Sequence, residues 1–292
     1  IAESTQQRVR HMAQRMNYQP LSHAQAIKTG RTRSLGLVLQ LADHDAHRPF
    51  LAEFLAGVSA GASKEGYTLT LASADTDAAV LESFHALLKD GKADGFVLPR
   101  AMLKDPRVQF LSSMKVPFVL YGRQENGDGC AWFDIRGEDA MRKAVAHLAG
   151  LGHRRIGFVN GGLKYTYSAL RGTGFAQGLA ENGMVMDPAL MATDAVTQED
   201  GLREIGRMLD LPSPPTAIVC AVDEVALGGY RAAQSRGLTI GRDLSITGYD
   251  GIADGARARP QLTTFAVDSS AAGERLAALL IRSIRGEPPE NL

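Results

Sequence analysis

The chain has 292 residues, 45% apolar and 22% charged, with a formal net charge of zero; the length suits two domains of ordinary size and the composition an ordinary soluble globular protein. Two distant cysteines, Cys130 and Cys220, and the lack of any C-x-x-C exclude a disulfide framework and favour a reducing compartment; no apolar stretch approaches membrane-spanning length. Zero net charge hides an asymmetry, because residues 1–33 carry Arg8, Arg10, Arg15, Lys28, Arg31 and Arg33 against the single acid Glu3. A basic end on an acidic body suits contact with a polyanion; a solvated basic helix is the other reading.

The chain starts at Ile1, not Met, inside a helical pattern, so a preceding segment is expected and the lack of a secretory leader carries little weight. Ser4 to Met16 reads as a helix, with Thr5 or Ser4 as its cap and Val9, Met12, Ala13 and Met16 on one face. Tyr18 and Pro20 end it. Leu21–Thr29 follows, helix-friendly but short, and closed by Gly30. A helix of that length is marginal alone and is expected to fold only against a partner.

From Ser34 onward, strand and helix patterns alternate. Leu35–Leu39, Thr68–Leu71, Gly95–Leu98 and Val116–Tyr121 read as strands. Between the first three lie helical patterns, one with Phe54, Leu55, Val58 and Ala62 closed by Gly66, one with Val80, Phe84 and Leu87/Leu88 closed by Gly91. The pattern then restarts. Ile135–Gly152 is helical, ended by Gly152 where a left-handed cap is cheap. Strands at Ile156–Val159, Ala217–Ala221 and Leu244–Gly248 alternate with helices near Phe175–Asn182, Gly201–Leu209 and Val225–Ser235. Ser269–Arg285 forms a last helix with Leu276, Leu279, Leu280 and Ile284 as its apolar face. Fully apolar strands alternating with helices mean parallel sheets covered on both faces, and two sets of units mean two similar lobes. Ligands of such folds sit beyond the carboxyl ends of the strands, here in the cleft between lobes.

The ordered set of short motifs resembles one family along almost the whole chain. Ser4-Thr5-x-x-Arg8-Val9, Asn17-Tyr18-Gln19-Pro20 and Ala24-x-x-Ile27-x-Thr29-Gly30-Arg31-Thr32 resemble the last headpiece helix and hinge of LacI/GalR repressors. Leu35-Gly36-Leu37-Val38, Ala93-Asp94-Gly95-Phe96-Val97-Leu98, Gly152-His153-Arg154-Arg155-Ile156, Arg171-x-x-Gly174-Phe175, Asp223-x-x-Ala226-Leu227-Gly228, Ser245-Ile246-x-Gly248-Tyr249-Asp250 and Pro260-Gln261-Leu262-Thr263-Thr264 continue it. The resemblance implies an α/β protein of two doubly wound parallel-sheet lobes, of the periplasmic-binding-protein-like type I, with an N-terminal helical hinge arm. The expected units are the arm at 1–33, one lobe at 34–134 with 268–286, and a second at 135–267.

The resemblance also implies the partners: operator DNA, a small effector that is a mono- or oligosaccharide, and a second copy in a homodimer. Paired hinge helices would enter the minor groove, with Ile27 as the wedge and Ala24, Gln25, Lys28 and Arg31 beside it. Without the motif, Ile27 would pack on its own lobe. Gln25 departs from the Arg many members carry nearby, which removes a phosphate contact. An effector that re-angles the lobes would move the hinges and change operator affinity; induction is expected, with corepression left open.

A sugar presents hydroxyls and a weakly apolar ring face, so its receptor needs forked polar groups and an aromatic plate. The resemblance marks Phe50 as that plate and Arg171 as the gripping guanidinium; apart from it, each suits an ordinary helix position. Asp250 directly follows a strand and can accept hydroxyls or cap the next helix. Asp223 stands at another strand end and equally suits a cap. Tyr121-Gly122-Arg123 resembles repressors of α-glucoside and related oligosaccharide systems, which adds Tyr121 and Arg123. Tyr165, Tyr167 and Trp132 are further plates. Val222 and Val267 replace polar residues common in the family, so a less polar site is expected. The stretch Ala42–Arg48, longer than the family's usual loop, either reaches the ligand or is a solvated tip, the latter being the preferred reading.

Two patterns are set aside. Gly57-Val58-Ser59-Ala60-Gly61 fits G-x-S-x-G but lies in a helical pattern, not at a strand–turn–helix elbow. His44 and His47 lack further metal ligands. No cofactor motif is present, no paired catalytic groups stand at strand ends, and a non-enzymatic cytoplasmic, nucleoid-associated regulator is expected. The rival reading is a periplasmic sugar-binding protein of a transport system, which has no use for a basic arm.

Overall fold

The computed structural model describes residues 3–16, 30–40, 49–124 and 129–289. The expected hinge helix, with Ala24, Gln25, Ile27 and Lys28, and the stretch Ala42–Arg48 lie outside these residues. The first half comprises α1 (Glu3–Arg15), β1 (Ser34–Gln40), α2 (Pro49–Lys64), β2 (Thr68–Ala74), α3 (Asp77–Lys89), β3 (Gly95–Leu98), α4 (Pro106–Ser113), β4 (Phe118–Tyr121) and β5 (Ala131–Phe133). There follow α5 (Gly137–Gly150), β6 (Ile156–Val159), α6 (Thr166–Glu181), β7 (Met191–Ala192), α7 (Gln198–Leu209), β8 (Ala217–Cys220), α8 (Asp223–Gln234), β9 (Ser245–Asp250), α9 (Ala253–Arg257), β10 (Thr263–Ala266) and α10 (Ser269–Ile284).

Two five-stranded parallel sheets result, in the orders β2-β1-β3-β4-β5 and β10-β9-β8-β6-β7. The inner strands β3, β6 and β8 are buried throughout, as burial on both faces requires, whereas the edge strands β2 and β10 carry exposed positions. Counted from its own first strand, the second sheet repeats the order of the first. Each therefore reverses winding beside its own first strand, and such a reversal opens a crevice at the strand ends.

One face of the first sheet packs Leu35, Leu37 and Val97 against Phe54 and Val58 of α2 and Leu276 and Leu280 of α10. The other packs Phe96 and Leu98 against Phe84 of α3 and Leu111 of α4. The second sheet is covered by α5 and α6 on one face and by α7 and α8 on the other. Each fully buried Phe or Leu stabilises the fold by about 1.5–3 kcal/mol. The helix α10 follows the second sheet in sequence yet packs on α2 and on β3–β5 of the first. Its approach to α2 is backbone-close: a Cβ on Gly57 would overlap the Ser270 carbonyl, and one on Gly61 would lie 2.9 Å from the Glu274 Cα. The Gly-x-Ser-x-Gly run is thus a helix-packing surface, with Ser59 exposed on its outer side.

Several elements differ from expectation. The first helix already includes Ser4 and Thr5, so neither is its cap. Its apolar face is bare, with Val9, Met12 and Met16 exposed. The helix α6 starts at Thr166, nine residues before the expected stretch near Phe175, because its inward positions Thr166, Ser168 and Arg171 are polar and break the apolar period. The short strands β5 and β7 went unseen because two or three residues carry no alternation. Gly152 does take the left-handed conformation, φ +97°.

The cleft between the lobes as candidate functional site

A cleft lies where the two sets of strand ends meet; the space it borders, open solvent included, is about 940 Å³. A crevice at such strand ends with a few convergent polar groups on an apolar wall is where ligands of this architecture bind. Arg100 follows β3, Tyr121 ends β4 and Asp134 follows β5, and these line it from the first lobe. From the second lobe come Tyr167 and Arg171 of α6, Glu224 of α8, and Tyr249 and Asp250 at the end of β9. Val196, Val222, Ile252 and Val267 give it apolar wall. Val222 and Val267 are the two positions expected to make the site less polar.

Arg171 is buried and held on several sides. Its Nη1 donates to the Ala221 carbonyl at 2.7 Å. Its Cζ lies 4.7 Å from the Tyr167 ring centre and 3.9 Å from that of Tyr249, so the guanidinium has cation–π contact with both rings. Its Nε is buried without a hydrogen-bond partner among the described residues, which is rare for a buried polar atom. The helix α5 begins with Gly137, where a Cβ would lie 3.1 Å from that Nε.

The tyrosines are plates with a polar tip. Tyr121 stacks on Phe54, ring centres 5.4 Å apart and 12° from parallel. Burial pushes the Tyr121 and Tyr249 phenols up from their ordinary value, so both keep their proton and can donate. Burial also raises the Asp134 carboxyl, against the pull of Arg123 and the Ile135 N–H. Three acids and two arginines thus face an otherwise largely apolar, ring-lined cleft, an arrangement suited to a polyhydroxylated ligand.

Of the residues proposed from sequence, Tyr121, Arg171 and Asp250 meet in this cleft. Arg123 does not line it. Its guanidinium turns to Asp134 at 2.8 Å and to Glu138, because these carboxylates satisfy it at closer range; it holds a lining acid in place. Asp223 does not line it either. The residue is fully buried, and its oxygens accept from Gly251 N–H, Ile252 N–H and the Thr264 hydroxyl; Val222, not Asp223, is the cap position of α8. Tyr165 is drawn aside by stacking on Tyr167, 5.5 Å between centres, and borders a neighbouring depression with Arg100 and Met102. Phe50 lies in the first turn of α2, with its side chain outside the described residues. Trp132 is exposed and away from the cleft lining. Arg100, Asp134, Glu224 and Tyr249 were missed. Tyr249 directly precedes Asp250 within the Ser245-Ile246-x-Gly248-Tyr249-Asp250 motif, and that position is the signal that points to it.

The lobes also touch directly beside the cleft. The Leu103 N–H donates to the Lys164 carbonyl and the Thr166 N–H to the Ala101 carbonyl, both at 3.0 Å. At the arm's junction, the Asp94 carboxylate accepts from Thr32 N–H at 2.7 Å, the Thr32 hydroxyl at 2.8 Å and Arg33 N–H at 2.8 Å. Arg31 is exposed at that junction. Among the described residues no group of His, Cys, Asp and Glu could hold a metal ion, and no helix is long and apolar enough to cross a membrane.

Two like lobes around a cleft at their strand ends define a receptor of the periplasmic-binding-protein-like class, and residues 145–291 match the model of the periplasmic binding protein-like domain. The chain belongs to the LacI family of transcriptional regulators. It is 35% identical over 304 aligned residues to the HTH-type transcriptional regulator AglR of Rhizobium meliloti (strain 1021), covering 99% of this chain and 83% of that protein. A regulatory protein of the LacI family from Chloroflexus aggregans superposes with a TM-score of 0.81 at 30% identity, over 89% of this chain and 93% of that one. The transcriptional regulator CelR in complex with cellobiose superposes with a TM-score of 0.82 at 25% identity, over 98% of this chain and 86% of its own.

Proposed function

We propose that this protein is a transcriptional repressor whose grip on operator DNA is set by a sugar held between its two lobes. The observation that carries the reading is Arg171, braced by Tyr167, Tyr249 and the Ala221 carbonyl in the wall of the cleft, beside Asp250. Arg171 and Asp250 take hydroxyls, Tyr121 and Tyr249 take a ring face, and Phe50 is assigned a further plate by its match to the family's aromatic. DNA is met through Ala24, Gln25, Ile27, Lys28 and Arg31 of paired arms, which requires a homodimer. The working units are the arm at 1–33, a lobe of 34–134 with 268–286, and a lobe of 135–267. The cleft binds without turning its ligand over. A transport receptor is not favoured, since the relatives that span the chain, arm included, are transcriptional regulators.

The test is a thermal-shift and calorimetric screen of mono-, di- and trisaccharides headed by cellobiose, then operator binding by the full-length protein with and without the best binder. A ligand specific to the folded state raises Tm by mass action. Unchanged operator affinity at saturating sugar would end the reading. Release of product from chromogenic glycosides would end its non-enzymatic part.

A further inference from the structure

Asp250 ends β9 with φ +125°, and Gly251 follows at +82°. Side chains other than that of glycine avoid this backbone region. A regular strand sends neighbouring side chains to opposite faces, yet Tyr249 and Asp250 both line the cleft. The departure from strand geometry at Asp250 is what lets both face it.

The turn is held from beneath. Asp223 Oδ2 accepts from the N–H of Gly251 at 2.8 Å and of Ile252 at 2.9 Å, and Oδ1 accepts from the Thr264 hydroxyl at 2.6 Å. A carboxylate that is fully buried is tolerable only with such donors. The strand makes room for it, since a Cβ on Gly248 would overlap Oδ1. One further bond, Val267 N–H to the Asp250 carbonyl at 3.0 Å, pins the other side of the turn. Two consecutive amides drawn to one oxygen fix the backbone just after Asp250, and the strain at Asp250 has nowhere to relax.

We infer that Asp223 is a positioning residue for effector recognition, which holds the 250–252 turn so that the Asp250 carboxylate faces the cleft beside Tyr249. This rests on the reading of Asp250 as an effector ligand. The sequence left Asp223 between ligand and helix cap, and it is neither.

The test uses the full chain and the tightest binder among glucose, galactose, maltose, cellobiose, melibiose and raffinose. Asp223→Asn can keep the arrangement, its amide oxygen accepting both N–H groups and its NH2 donating to Thr264 Oγ1; its affinity should stay within about threefold of the parent. Asp223→Ala should lose about tenfold or more. Combined with Asp250→Ala it should lose no more than Asp250→Ala alone, because both act through one carboxylate. A folded Asp223→Ala protein with parental affinity, or additive losses, overturns the inference; additivity is what a mere fold staple gives. Two measurements need neither the alanine variant nor a ligand. Hydrogen exchange should show the Gly251 and Ile252 amides protected in the parent and in Asp223→Asn. Asp250→Gly should raise the apo Tm by about a few degrees as the strain is relieved. Unprotected amides, or an Asp250→Gly protein that melts lower, overturn the inference. Should both hold while no sugar binds the parent, the effector reading falls, and the recognition role with it; sugar binding with additive losses removes the positioning role alone.

Discussion

Replacing Arg171 by Met separates what the cleft does from what keeps it folded. Met has similar length, no charge, and makes favourable sulfur–ring contacts of its own. The stability side nearly cancels. Lost are a charge-assisted bond to Ala221, about 1.5–3 kcal/mol, and two desolvated cation–π contacts of about 2 kcal/mol each, partly replaced by the sulfur–ring contacts of Met. Recovered is the desolvation of a buried charge, several kcal/mol by the usual scale. The net falls within about 2 kcal/mol, which for a chain of this size moves Tm by roughly 4–8 °C at most. The binding side does not cancel, because a sugar hydroxyl or ring oxygen loses its charged donor: about 1.5–3 kcal/mol, or roughly 10- to 100-fold in Kd. Calorimetry with the best sugar and melts of the apo protein read the two sides independently. A variant that melts cooperatively near the parent and binds sugar with parental Kd would show that the guanidinium is a packing residue and that the cleft chemistry is misread.

Other substitutions probe separate links. Gly57→Ala drives a methyl into the Ser270 carbonyl; overpacking of about 1–3 kcal/mol outweighs the helix-propensity gain of about 1 kcal/mol, so Tm falls, while Ser59→Ala on the exposed side changes stability by no more than about 0.5 kcal/mol. Asp200 shares a capping box with Thr197. Burial pushes its carboxyl up, but the Val196 N–H, the Thr197 hydroxyl and Arg203 outweigh that and bring it to about 2. Its contribution is therefore complete above the unfolded value of 3.8 and lost as pH falls toward 2; Asp200→Asn should be less stable by about 1 kcal/mol at pH 7 and equal the parent near pH 2 by denaturant melts. His153 bridges the Thr216 and Ser245 hydroxyls at 2.8 and 2.9 Å, and burial lowers its pKa from 6.5. Protonation thus favours unfolding, and stability should drop as pH falls below about 6.5, less so in His153→Gln. Asp94→Ala frees three donors at residues 32–33, so trypsin should cut after Arg31 and Arg33 severalfold faster while the Tm of the body stays nearly level.

The legible part of the fold was the part whose burial is two-sided. Parallel strands such as Leu35–Leu39 and Ala217–Cys220 are apolar throughout and announce themselves. The cleft walls do the opposite. On α6 the inward positions Thr166, Ser168 and Arg171 are polar, so apolar periodicity vanishes where the ligand sits. Arg171, Tyr121 and Asp250 were found through motif order and strand-end position. Arg100 was not, since it carries no motif and reaches the cleft through a left-handed backbone, φ +54°. Asp223 shows the limit of strand-end reasoning: position brings a carboxylate to the edge of a sheet, but the direction it points depends on donors contributed by residues 28 to 41 positions away.

The Asp94 clamp ties Thr32 and Arg33 to the first lobe. Asp94 lies just before β3, and its own N–H donates to the Ser34 carbonyl at the start of β1. Residues 32 and 33 are thereby bolted to the root of the first sheet, so a tilt of that sheet carries this junction with it.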